Sequence, residues 1–113
     1  KGPALIDFSP AILQILDDVK NKVDTGIIAA KFHNTTAEFL LRTAELARKA
    51  EDVNTVALSG GVFCNNYLLE KVIHFLKINH FNVLFNKQVP SNDGGLSLGQ
   101  AAVAAAKLNS RKD

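Results

Sequence analysis

The sequence predicts an α/β fold in which parallel strands are flanked by helices, and three observations carry that prediction. Two short apolar runs, Thr55-Val56-Ala57-Leu58 and Phe81 to Phe85, have the length and composition of core strands. Each run leads to a Gly-Gly junction that opens a helical segment. The first junction is Ser59-Gly60-Gly61-Val62-Phe63-Cys64-Asn65-Asn66, and the second is Val89-Pro90-Ser91-Asn92-Asp93-Gly94-Gly95-Leu96. The resulting order of strand, helix, strand, helix implies a right-handed crossover and a parallel pair.

The elements follow in turn. Ala4 to Phe8 is short and apolar and is expected to be a strand. Ser9-Pro10 reads as a helix start, because serine caps well and proline suits the first helical position. That helix is expected to reach about Asn21, with Ile12, Leu13, Ile15, Leu16 and Val19 inward. A break at Val23 to Gly26 offers Asp24 or Thr25 as the next cap. A long helix from about Ile27 to Lys49 then places Ile28, Phe32, Phe39, Leu40 and Leu46 on one buried stripe. The run Thr55 to Leu58 shows no alternation of apolar and polar residues, as expected of a strand covered on both faces. Asn65 to about Asn79 is a helix presenting Leu68, Leu69, Val72, Ile73 and Leu76 to the sheet. Leu96 to Leu108 is the last helix, and its alanine run is expected to let it lie very close to a neighbour.

Bulk properties narrow the functional classes. A chain of 113 residues is one domain's worth, and 47% hydrophobic with 21% charged residues is ordinary for a packed protein. A net charge of +2, scattered rather than blocked, argues for neither DNA nor an anionic membrane as partner. The single cysteine cannot form an internal disulfide, and no apolar run reaches the length of a membrane span. A cytoplasmic location is the expectation. No methionine occurs anywhere, so the chain is expected either to begin inside something longer or to have had its start removed.

Glycine tolerates positive φ and close approach, and a helix start beside it offers unpaired N–H groups to an anion. Two such junctions on parallel strands would face one ligand across the carboxyl edge of the sheet, a geometry suited to a nucleotide. A pair of purely structural tight turns fits the same residues, since neither stretch matches the lysine-bearing phosphate loop or the dinucleotide fingerprint. Asp93 has two open roles, as a ligand for a divalent ion beside a triphosphate or as a helix cap. Asn65 is likewise either part of a nucleotide cradle or only a cap, and Ser59 either binds phosphate or satisfies the turn. His33 and Asn34 lie beside the long helix's buried stripe, as cleft wall or structural pair. Cys64 stands without an adjacent base and is expected to be a small apolar filler. His33, His74 and His80 show no metal-ligand spacing, and no residue is singled out as catalytic.

The stretch from Phe32-His33-Asn34-Thr35 through Ser59-Gly60-Gly61-Val62-Phe63 and Asn92-Asp93-Gly94-Gly95 to Gly99-Gln100 resembles the carboxyl-terminal end of the nickel-iron hydrogenase maturation carbamoyltransferases, the HypF family. The likeness runs from about Pro10 to Leu108. It implies a single unit over residues 1–113, the last subdomain of a larger Kae1-like domain in the actin, sugar-kinase and heat-shock ATPase superfold. The lobe would be ribonuclease H-like and partial, holding the last two strands. Its sheet edge would then be exposed, or paired with another chain.

The resemblance further implies ATP as cofactor, held by Gly60, Gly61, Asn65, Asp93 and Gly94. It implies a divalent metal ion held by Asp93 together with two histidines from an earlier part of the domain. Carbamate derived from carbamoyl phosphate would react with ATP to give carbamoyl adenylate, and the carbamoyl group would pass to the terminal cysteine of a HypE-like acceptor. The remainder of the parent chain is the nearest implied partner, and this piece alone is expected to be inactive. Two rivals share the superfold. The tRNA threonylcarbamoyl transferases carry a late motif resembling Asp-Asn-Ala where this chain has Asn92-Asp93-Gly94-Gly95, and sugar or acetate kinases depart similarly. A non-catalytic scaffold is the rival from another class.

Overall fold

A computed structural model describes residues 5–110. Helix α1 spans Ser9–Lys20 and α2 spans Thr25–Glu51. Strand β1 is Thr55–Leu58, α3 is Asn66–Ile78, β2 is Asn82–Phe85 and α4 is Leu96–Asn109. Short 3-10 turns at Gly61–Cys64 and Asp93–Gly95 stand between each strand and its following helix. The strands pair in parallel, with Val56 opposite Val83 and Leu58 opposite Phe85. This is the predicted α/β arrangement of parallel strands with flanking helices.

The core lies where α2, α3 and one face of the sheet meet. Val72 and Leu76 on α3 are each 1% exposed, and Ala37 of α2 is fully buried beside Leu58, Leu68 and Phe81. Val56, Val83 and Phe85 of the strands and Leu40, Leu41 and Ala44 of α2 pack against that cluster. Burying a side chain such as Val72 or Leu76 contributes about 1.5–3 kcal/mol. The α3 stripe is therefore as the spacing predicts. The α2 stripe is rotated from the expected one: Phe32 and Leu46 are exposed, and the small Ala37 is the residue that lets α2 approach α3.

Other expectations are corrected. Residues 5–8 form no strand, and Ala4 lies outside the described residues. Ser9 does not cap α1. Its own amide donates instead to Asp7 Oδ1 at 2.8 Å, and hydrogen bonds from the Ser9 side chain and backbone hold the Asp7 carboxyl below its ordinary value. Asp24 is the cap of α2, accepting from the amides of Gly26 and Ile27. The inward face expected of α1 is largely uncovered, with Ile12, Leu13, Leu16 and Val19 all exposed and Ile15 half-buried. β1 is covered on one face only, because Thr55 and Ala57 look away from the helices, as does Leu84 across the sheet. α4 buries no residue and packs mainly on the turn before it, so its alanine run is left exposed rather than laid against a neighbour.

The amino-terminal edge of the sheet is tied down by polar contacts. Arg48 donates to Asn79 O at 2.9 Å and to Asn54 Oδ1 at 3.1 Å, and its guanidinium lies 4.0 Å from the Phe81 ring centroid. Asn54 in turn donates to His80 O, and its carbonyl accepts from the Asn82 amide. His80 holds a left-handed φ of 63° at this corner. With that edge fixed, the carboxyl-terminal ends of both strands open into the two glycine turns.

Candidate nucleotide cleft

Both Gly-Gly turns lie at the same end of the sheet and are joined directly. The Gly60 amide donates to Ser91 O at 2.8 Å, and Cys64 Sγ lies 3.8 Å from Ser91 Oγ. A cleft of about 740 Å³ opens between them, lined by Ser59, Gly60, Asn86, Ser91, Asn92 and Asp93 on the turn side. Leu96, Gln100, Val103 and Lys107 of α4 form the other wall.

The glycines have separable reasons. Gly60 sits at φ 112° and ψ 159°, a conformation that side chains rarely adopt, and a Cβ there would meet nothing within 4 Å. Its requirement is backbone conformation at an open wall. Gly95 is different, since a Cβ would fall 2.6 Å from Pro90 O, so packing excludes one. A Cβ on Gly94 would also crowd Pro90, whereas one on Gly61 would sit in ordinary contact with Asn92.

Of the residues expected to hold a nucleotide, Gly60 and Asp93 line the cleft, while Gly61, Asn65 and Gly94 do not. The Gly60 N–H is already used by Ser91, and the Gly94 N–H by Asn92 Oδ1 at 3.0 Å, so neither amide faces an anion. The start of α4 borders the cleft without a side-chain cap, but it continues from the 3-10 turn and its Leu96 amide already donates to Asp93 O. Asn92, not Asp93, caps the second turn. Among the described residues the Asp93 carboxylate makes no hydrogen bond and is exposed at the cleft. No group of three metal-binding side chains occurs among the described residues, so Asp93 supplies at most one ligand of a metal site.

Asn65 caps α3 by accepting from the Leu68 amide at 3.1 Å. Its amide nitrogen lies 2.8 Å from His33 Nε2, and His33 Nδ1 lies 2.7 Å from Ala29 O. His33 is thus half-buried behind the first turn rather than in the cleft wall, and Asn34 accepts from the Tyr67 hydroxyl at a long 3.5 Å. Cys64 is exposed, which corrects its reading as an apolar filler. His74 is exposed on the surface of α3.

Asn86 and Lys107 are cleft residues the sequence reading passed over. Lys107 was legible: Leu96, Gln100, Val103 and Lys107 recur at three and four, one face of a helix. Asn86 follows β2 with no pattern to mark it.

The family description "Carbamoyltransferase, Kae1-like Domain, second subdomain" matches residues 1–100. The chain belongs to the HypF family. It is 35% identical over 107 residues to the carbamoyltransferase HypF of Synechocystis sp., covering 95% of this chain and 13% of that protein. It is 40% identical over 83 residues to HypF of Rhodobacter capsulatus, covering 74% of this chain and 11% of that one. A tRNA N6-adenosine threonylcarbamoyltransferase from Clostridium novyi is 30% identical over 105 residues, 86% of this chain and 31% of that enzyme. Full-length HypF, solved in a phosphate- and nucleotide-bound form, superposes with a TM-score of 0.79 at 46% identity, over 84% of this chain and 13% of that one. The HypF likeness identifies the fold as a partial ribonuclease H-like lobe. The chain spans about an eighth of the HypF relatives' length. No helix among the described residues is long and apolar enough to cross a membrane.

Proposed function

We propose that this chain is the ATP-facing subdomain of a longer carbamoyltransferase that forms carbamoyl adenylate and transfers the carbamoyl group to a HypE-like acceptor. The observation that carries the reading is the single cleft shared by the two glycine turns, at the carboxyl ends of parallel strands. Gly60 keeps one wall low enough for close approach. The first turn of α4 borders the same space, and Lys107 supplies a cation for phosphate on that wall. Asp93 faces the same space, and a carboxylate beside a triphosphate is tolerable only with a cation between them. Asp93 therefore suits one ligand position of a divalent metal, whose other ligands come from outside this chain. When bound, such an ion neutralises phosphate charge. The remaining chemistry, including the site for carbamate, belongs to the longer chain.

The test is ATP-to-pyrophosphate exchange dependent on carbamoyl phosphate. The full-length protein should catalyse it and this chain alone should not, since a half-cleft loses contacts and preorganisation together. Failure of the full-length protein to bind ATP would leave the scaffold reading.

A further inference from the structure

Behind the cleft, three hydrogen bonds join α2 to the first glycine turn, and their polarity is fixed at both ends by backbone groups. At one end the Ala29 carbonyl has only lone pairs, so His33 Nδ1, at 2.7 Å, carries a proton and donates. At the other end the Leu68 amide can only donate, so the oxygen of the Asn65 side chain faces it at 3.1 Å. The Asn65 nitrogen then faces His33, and its N–H donates to Nε2 at 2.8 Å. Each assignment agrees with the other two. The imidazole is therefore the Nδ1–H tautomer with a bare Nε2, the less common form of free histidine. Tyr67 holds the ring from the side, edge-on at 5.5 Å between centroids.

We propose that His33 is a positioning residue: through this relay it sets the rotamer of Asn65 and so the conformation of the Gly60–Asn65 turn that forms one wall of the cleft. The Leu68 N–H alone selects the amide orientation that turns the Asn65 oxygen toward it, but it holds the side chain at that one atom. His33 holds the other atom, and a flipped amide would then meet two mismatches, oxygen against the bare Nε2 and nitrogen against the Leu68 N–H. The turn between Asn65 and Gly60 is held to the second turn through Ser91, which accepts from Gly60 N and lies beside Cys64, and within itself by two backbone bonds. Asn65 N donates to Val62 O, Phe63 N to Gly60 O, and Phe63 is the buried plug beneath. A slack cap at Asn65 would thus be felt at Gly60, whose unusual backbone is the part exposed to the cleft. His33 touches no cleft space itself. Its consequence for ligand binding rests on the reading of that cleft as a nucleotide site.

The experiment separates the two. In this chain labelled with nitrogen-15 at histidine, His33 should show a protonated Nδ1 and an unprotonated Nε2 near neutral pH. A protonated Nε2 would overturn the proposal. Hydrogen exchange at the Leu68 amide should quicken by about tenfold in His33→Ala, the scale of one lost hydrogen bond. His33→Gln, whose side-chain oxygen can accept from Asn65, should restore most of that protection. Asn65→Asp keeps the cap but presents a carboxylate to Nε2, and should move a proton onto that nitrogen. This spectroscopic change would not follow from mere packing. AMPPNP with Mg²⁺ is the ligand probe in the full-length protein, where His33→Ala should weaken its binding by about tenfold, with His33→Gln close to the parent. Unchanged Leu68 exchange and unchanged AMPPNP affinity in folded His33→Ala would refute the positioning role. Full-length protein that fails to bind AMPPNP counts against the nucleotide reading, while the tautomer and the Leu68 exchange still decide for or against His33.

Discussion

At the scale of single residues, the two turns respond to substitution for different reasons. Gly60→Ala meets no steric obstacle but forces a side chain onto a φ of 112°, so it should destabilise by about 1–3 kcal/mol in a denaturant melt. Gly61→Ala, with only an ordinary contact to Asn92, should leave the same melt nearly unchanged. An equal response at the two sites would contradict the assignment of the strained position to Gly60. Asp93 is predicted to behave in the opposite manner. Because Asn92 supplies the cap and the Asp93 carboxylate is exposed, Asp93→Ala should shift the melting temperature very little. In the full-length protein both Asp93→Ala and Asp93→Asn should abolish carbamoyl transfer if the carboxylate ligates a metal, since such charge stabilisation is worth several kcal/mol. Near-normal transfer in Asp93→Asn would remove the metal from this account.

At the scale of elements, rigidity is concentrated at the edge of the sheet opposite the cleft. Arg48 reaches from α2 to the end of α3 and the loop before β1, while stacking on Phe81 at the entry to β2. Losing these contacts in Arg48→Ala should cost about 2–3 kcal/mol, the range for hydrogen bonds to a charged group with a cation–π contact. Arg48→Lys should recover only part of this, because both bonds leave one guanidinium nitrogen and an ammonium can donate both, but it lacks the planar face that stacks on Phe81. Chemical denaturation of the three proteins measures both. The same elements show why some of the fold was legible in the sequence. The α3 stripe was readable because every partner of Leu68, Val72 and Leu76 lies within this chain. The strands and their parallel order followed from the glycine turns. The α1 stripe has the right period, yet α2 covers only a small part of it, and periodicity cannot say what lies opposite. Ala37 was missed because a small residue adds little to an apolar pattern, although close helix approach depends on it. The His33–Asn65 bond joins residues 32 apart through a tautomer, and no spacing rule encodes that.

At the scale of the whole molecule, the shape is extended and the apolar surface is not closed. The radius of gyration is 18.0 Å, against about 13 Å for a compact domain near this length. Three unclosed surfaces account for this: the α1 face with Leu13 and Leu16, the sheet face with Ala57 and Leu84, and α4 from Leu96 to Leu108. A two-stranded sheet also leaves edge hydrogen-bonding groups to be covered. Exposed patches on this scale mark surfaces that associate. The chain spans only 13% of the length of the HypF it superposes on, so the proposed longer chain supplies an obvious cover. Alone, the chain should self-associate as its concentration rises, through these same faces. Light scattering coupled to size exclusion should show mass growing with loading. Leu13→Glu with Leu16→Glu should suppress part of that growth without changing the α3 core. Leu84→Lys, on the uncovered sheet face opposite Ala57, should suppress a separate part, because a charge there blocks sheet-on-sheet stacking. In the full-length protein the same substitutions should instead lower stability, since they would place charges inside a covered interface. A strictly monomeric chain at all loadings, with full-length protein indifferent to Leu84→Lys, would mean that these faces are solvated in both contexts.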